Sequence, residues 1–264
     1  MKKQIATFTL VAAGVLCPFI AQAGVEISVG IAPPALPLYS QPPMPGDGYI
    51  WTPGFWSWNP VDNDSYWVPG TWVLAPYVGA LWTPGYWGWY GGSYRWHGGY
   101  WGTHIGYYGG VNYGYGYGGV GYQGGYWDHG RFSYNRSVNN VYNVRNVQVY
   151  NSRVTYNNTT RVSYSGGVGG VRMEPSKNEE IIAGMPHQQP TEPQMNHESA
   201  SRMAQPQRAS VNHGMPQVAA TPEPGKFNSP YVSASRPEPK PQGHSGPSHS
   251  GSSGGGAHSS GHHR

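Results

Sequence analysis

The sequence predicts an all-β protein: a small, aromatic-rich antiparallel meander or sheet built from W-x-P-G-x-W repeats, followed by a long disordered C-terminal tail. Three observations carry this. Tryptophans recur in pairs around a Pro-Gly or Gly-Gly step, at Trp51/Trp56, Trp67/Trp72, Trp82/Trp87 and Trp96/Trp101, with starts 16, 15 and 14 residues apart. Leu, Ile, Val and Phe make up only about 16% of the 264 residues, whereas there are 11 Trp and 21 Tyr, so any interior must be aromatic. The 40 Gly and 25 Pro, about a quarter of the chain, break every long periodic run. A helical bundle, a doubly wound α/β enzyme and a polytopic helical membrane protein are excluded.

The elements follow in order. Lys2 and Lys3 precede an apolar run from Ile5 to Ile20, too short to favour a spanning helix, and Ala21-Gln22-Ala23 has the small-x-small form that signal peptidase cuts after. Residues 1–23 are therefore expected to be a signal peptide cleaved after Ala23, directing export to the periplasm, the outer-membrane surface or the exterior. Leu16 rather than a small residue precedes Cys17, so lipidation is not expected. Cys17 leaves with the signal, and a thiol-free mature chain has no disulfide, zinc–thiolate site or cysteine nucleophile. Loss of Lys2 and Lys3 lowers the formal charge from +4 to about +2, a balance that selects no partner.

Residues 24–46 form a Pro-rich lead, from Pro33-Pro34 to Pro42-Pro43, expected to run extended as a tether. Residues 47–127 hold the repeats and a Gly/Tyr tract, with Tyr122-Gln-Gly-Gly-Tyr-Trp127 as a degraded fifth unit. Pro-Gly suits a type II turn, but tight hairpins prefer the primed turns. Turn chemistry also lies between the units, at Asn59 to Asp64, Ala75 to Gly79 and Tyr90 to Ser93. Each unit is thus expected to be a strand kinked by a Pro-Gly bulge, with the hairpin turns between units. Residues 128–165, rich in Asn, Val, Tyr and Arg, alternate like strands, and 153–156 and 161–164 are expected to form a hairpin around Asn157 to Thr160. From 166 to 264, Pro, Gln, Ser, Gly and His dominate, and disorder is expected apart from a short helix near 178–183.

The repeat pattern Trp-x-[Pro/Gly]-Gly-x-Trp, together with the lead Ile31-Ala-Pro-Pro-Ala-Leu-Pro and the stretch Gly118-Gly-Val-Gly-Tyr, resembles the WXXGXW or YXWGXW repeat family of exported bacterial proteins. The resemblance spans roughly 24–170. It implies an envelope setting and no established activity.

Chemistry-bearing candidates are few. Burial of most rings is needed to offset the entropy of ordering so glycine-rich a chain, so Trp51, Trp56, Trp58, Trp67, Trp72, Trp82, Trp87, Trp89, Trp96 and Trp101 are read mostly as core. A minority, such as Trp58, Trp89 and Tyr94, is expected to face outward, where an amphipathic ring suits a sugar face or a membrane interface. Arg131, Arg136, Arg145, Arg153 and Arg161 lie in a stretch without acidic residues and suit contact with a polyanion as well as protection of strand edges. His258, His262 and His263 suit weak metal capture. Asp62 and Asp64 share one turn, where solvated carboxylates are commonest. Gly114-Tyr-Gly-Tyr-Gly-Gly119 matches a dinucleotide-binding fingerprint by letters alone, without the strand before it and the helix after it.

The expectation is a non-enzymatic envelope protein, structural or adhesive, without a cofactor. Its partners would be an envelope glycan or the outer-membrane surface, or its own copies, and not nucleic acid. The alternatives are a glycan- or peptidoglycan-binding module using exposed Trp and Tyr, and metal binding by the His-rich tail.

Overall fold

The computed structural model describes residues 27–142, 144–156, 159–228 and 230–236. The first strands are β1 (Ser28–Val29), β2 (Tyr49–Thr52), β3 (Phe55–Asn59), β4 (Asp64–Val68), β5 (Gly70–Leu74), β6 (Leu81–Thr83), β7 (Tyr86–Tyr90), β8 (Ser93–His97) and β9 (Tyr100–Gly102). After them come β10 (Asn112–Gly114), β11 (Tyr117–Gly118), β12 (Gly125–Asp128), β13 (Arg131–Asn135), β14 (Gln148–Tyr150) and β15 (Tyr164–Ser165). Helices α1 (Lys177–Ala183), α2 (Glu192–Met203) and α3 (Ala209–Asn212) precede β16 (Ala220–Thr221). The expected signal peptide and His258, His262 and His263 lie outside the described residues.

Each pair of repeat units folds as one long hairpin. In the first, β2 pairs with β5 and β3 with β4, so Trp51 faces Trp72 and Trp56 faces Trp67. In the second, β6 pairs with β9 and β7 with β8, so Trp82 faces Trp101 and Trp87 faces Trp96. Hairpin turns fall between units at 59–64 and 90–93 as expected, but 75–79 links the two hairpins without closing one, because β5 and β6 pair with β2 and β9. The expected bulge is absent: the register is the same on both sides of each Pro-Gly step. The reason is that the steps lie opposite one another. Pro53 and Pro69 supply no N–H, so both strands open the ladder at the same level and neither gains a residue.

The two hairpins pack face to face. Phe55 stacks on Trp96 with centroids 4.9 Å apart and planes 19° apart. Trp87 Nε1 donates to the carbonyl of Trp56 at 2.8 Å. The Gly/Tyr tract closes the interior between them: the buried Tyr117 hydroxyl donates to the carbonyl of Trp82 at 2.9 Å and approaches that of Trp51 at 3.4 Å. Trp51, Trp56, Trp67, Trp72, Trp82, Trp101, Tyr108, Tyr117, Phe132 and Tyr134 belong to one buried cluster, and Val29, Trp87 and Tyr94 form a smaller one.

The sheets are built on antiparallel pairs, as expected, and β14 on β13, β15 on β7 and β16 on β5 add to them in parallel. Two expectations are corrected. Residues 153–156 carry no strand, and Tyr164 pairs with Trp87, so the expected hairpin does not form there. The Pro-rich lead is no free tether: Leu36 and Met44 are buried in the main cluster, and Trp56 Nε1 and Trp72 Nε1 donate to the carbonyls of Ala35 and Pro42 at 3.0 and 2.9 Å.

The stretch 166–236 also departs from the expected disorder. Helix α1 is capped reciprocally by Ser176 and Glu179. Helix α2 packs on β4, and the backbone of Gln188 exchanges two 2.8 Å hydrogen bonds with that of Trp101. Composition measures only how much apolar surface a segment can bury by itself. This segment is held instead by polar groups that the repeat hairpins leave unpaired. Gly70 N donates to Ala219 O at 3.1 Å, Trp67 Nε1 to Ala219 O at 3.0 Å, and Trp101 Nε1 to Gln194 Oε1 at 2.8 Å. Among the described residues no helix is long and apolar enough to cross a membrane.

Candidate functional site

The glycine of each repeat unit is required by space. A Cβ at Gly54 would fall within 3 Å of Trp67 Cζ2, and one at Gly70 equally near Trp51 Cζ2. Gly85 stands under Trp96, and Gly99 under Trp82, in the same way. None of these four glycines has a positive φ, so the left-handed freedom that a type II turn would use is not what selects them. The first Trp of one unit roofs the Gly of its partner unit, and its second Trp faces the partner's first. The degraded fifth unit keeps half of this device: Trp127 faces Phe132, and Phe132 covers Gly125.

Most of the candidate rings are therefore interior. Trp51, Trp56, Trp67, Trp72, Trp82, Trp87 and Trp101 are buried, Trp58 and Trp96 are half-buried, and Trp89 is 38% exposed. Tyr94, expected to face outward, is buried. It faces Trp89 across the β7–β8 ladder, with centroids 4.7 Å apart, and meets Tyr164 edge-on at 5.0 Å on the other side. The flanking β1 and β15 put it there, so Trp58, Trp89 and Tyr94 do not make one exposed aromatic face.

The five arginines differ in their surroundings. Arg131 pairs with Asp47 at 3.6 Å. Arg145 and Arg153 are exposed. Arg136 and Arg161 line a common groove of about 630 Å³, within the roughly 300–1,000 Å³ typical of ligand sites. Four stretches build it: the lead, the Gly/Tyr tract, the turn after β13, and the segment before β15. Its floor is the half-buried pair Tyr39 and Tyr115, with centroids 5.6 Å apart and planes 33° apart. The Tyr115 hydroxyl donates to the carbonyl of Tyr39, and Tyr39 Oη accepts from Gly54 N at 3.3 Å. Burial holds both phenols well above the ordinary tyrosine range, so they stay protonated. One wall is clamped by Gln41, whose Oε1 and backbone carbonyl accept from Asn140 N and Nδ2 at 2.6 and 3.1 Å. No sequence signal joins Tyr39 to Tyr115 or Gln41 to Asn140, because these pairs are 76 and 99 residues apart.

Two ionisable groups on α2 also escape sequence reading. His197 is buried, with Nε2 3.0 Å from the carbonyl of Pro69, and its Nδ1 accepts from Gly225 N at 2.9 Å. Its ring thus takes a neutral Nε2–H tautomer, and burial pulls the imidazole down to about 4. Glu198 Oε1 accepts from Ser57 Oγ at 3.1 Å and Tyr66 Oη at 3.3 Å, while burial raises its carboxyl above the ordinary value. Both groups are bound into the fold. Asp62 and Asp64 are likewise engaged: Asp62 pairs with Arg208 at 2.8 Å, and Asp64 accepts from Ser210 Oγ at 2.6 Å.

Comparison with curated proteins and with solved structures finds no match. The WXXGXW repeat model matches twice, at residues 46–73 and 81–101, so that each copy coincides with one hairpin and its two reciprocal Gly–Trp covers. The chain thus carries two copies of the WXXGXW repeat.

Proposed function

We propose that this chain is an exported, non-enzymatic protein with a structural or adhesive role at the periplasmic or outer-membrane surface. The observation that carries the reading is the use of the repeat tryptophans. They are spent facing each other inside two hairpins and donating to backbone carbonyls, which is what a structural motif does with its rings. The N-terminal pattern Lys2-Lys3, Ile5 to Ile20 and Ala21-Gln22-Ala23 supports export. The buried ionisable groups His197 and Glu198 are committed to holding α2.

The test is fractionation of cells expressing the tagged chain, with mass spectrometry of its N-terminus and co-sedimentation with outer-membrane vesicles and peptidoglycan. A mature start at Gly24 and retention on vesicles or peptidoglycan are expected. An intact Met1 in the cytoplasmic fraction would defeat the export reading. A folded protein that sediments with neither would defeat the adhesive one.

A further inference from the structure

We infer that the groove floored by Tyr39 and Tyr115 binds an acidic oligosaccharide, with Arg136 and Arg161 taking its carboxylates. This goes beyond the structural role proposed above and does not depend on export.

Charge sets the sign of the ligand. Two guanidinium-bearing residues line the groove and no Asp or Glu does. Among the described residues neither side chain is joined to a carboxylate. Both backbones are fixed: Arg136 N donates to Tyr150 O at 2.9 Å, and Arg161 O accepts from Leu36 N at 2.7 Å. A guanidinium on such a fixed backbone offers a planar pair of donors to a carboxylate.

The rest of the lining sets the class. Tyr39 and Tyr115 offer tilted, half-buried ring faces, and Tyr156 adds an exposed one. Asn140, Ser137 and Thr159 add short amide and hydroxyl groups. A sugar ring has apolar C–H faces and a hydroxylated edge, and this alternation of ring and short polar group matches it. A nucleic-acid strand is the poorer fit, because its backbone calls for a track of cations and its bases for open stacking platforms, whereas here two arginines flank partly covered rings.

The test is isothermal titration of the purified protein with tetragalacturonate, with maltotetraose as the neutral counterpart and oligo(dT) as the other polyanion. Saturable one-to-one binding of tetragalacturonate is expected, about tenfold or more tighter than maltotetraose. Arg136→Gln with Arg161→Gln should weaken it by about tenfold or more. Arg145→Gln with Arg153→Gln, which lie outside the groove, should leave it unchanged. Tyr156→Ala, at an exposed ring, keeps the test open should the arginine variant unfold, and is expected to weaken binding severalfold. The inference is overturned by absence of tetragalacturonate binding, by equal affinity for maltotetraose, by tighter binding of oligo(dT), or by equal losses in the two arginine double variants.

Discussion

Gly54 lies directly beneath the indole of Trp67, and any side chain there would fall within 3 Å of that ring and of the opposite backbone. Gly70 stands in the same relation to Trp51, so one hairpin contains the contact twice, in opposite directions. The motif is thus a recipe for two strands together. Its Trp and its Gly act on the partner unit, and Pro opens the ladder where the roof sits.

Gly54→Ala, Gly85→Ala and Gly99→Ala should each lower the unfolding free energy by about 1–3 kcal/mol, through overpacking against a buried ring. Gly98 occupies the position that is Pro in the other three units, and a Cβ there meets nothing within 4 Å. Gly98→Ala should stay within about 0.5 kcal/mol of the parent. Equilibrium urea unfolding of the four variants decides it, and equal losses at Gly98 and Gly54 would refute the covering role.

Trp51 and Trp67 are both fully buried, but only Trp67 Nε1 has an acceptor, the carbonyl of Ala219 at 3.0 Å. Among the described residues Trp51 Nε1 has none. Trp67→Phe should therefore be the more damaging of the two Trp→Phe changes, by about 1 kcal/mol, because it removes a buried hydrogen bond and leaves the Ala219 carbonyl with Gly70 N alone, while Trp51→Phe relieves an unpaired donor. Denaturant midpoints measured side by side check the order.

His197 makes stability depend on pH. Its imidazole falls from 6.5 to about 4 on folding, so between those values the unfolded chain holds a proton that the folded chain does not. Stability from this group is complete above about pH 6.5 and is lost as the pH falls toward 4, by about 3 kcal/mol in all. Glu198 opposes it: a raised carboxyl contributes below its unfolded value and loses that contribution as the pH rises. Unfolding free energies from pH 7 to 4 should fall, and His197→Gln should flatten the slope while lowering stability at pH 7. An unchanged slope in the variant would assign the pH dependence elsewhere.

The C-terminal wrap is a further target. Gln207 is almost fully buried, and its Nε2 donates to the carbonyls of Trp67 at 3.1 Å and Val218 at 2.8 Å. Gln207→Leu keeps the bulk and leaves two buried acceptors unpaired, an expected loss of about 1–3 kcal/mol. Calorimetric melting should show a lower midpoint in one cooperative transition. A separate early transition would mean that the wrap unfolds independently of the hairpins.

Read alone, the sequence determined what is local and periodic: four units, turns between them at 59–64 and 90–93, an all-β aromatic interior, and a helix near 178–183, while which units pair was left to the tertiary structure. Those follow from side-chain spacing and turn chemistry, which act over a few residues. Tertiary structure decided everything that depends on which distant groups meet. Tyr94 turned inward because β1 and β15 flank it, and Tyr39 left the lead to form a floor with Tyr115. The stretch 166–236 took order from Pro69, Gly70, Trp67 and Trp101 rather than from its own composition. A backbone group left open by a proline is invisible in the residues that will later pair with it, since hydrogen bonding across more than a hundred positions leaves no period to read.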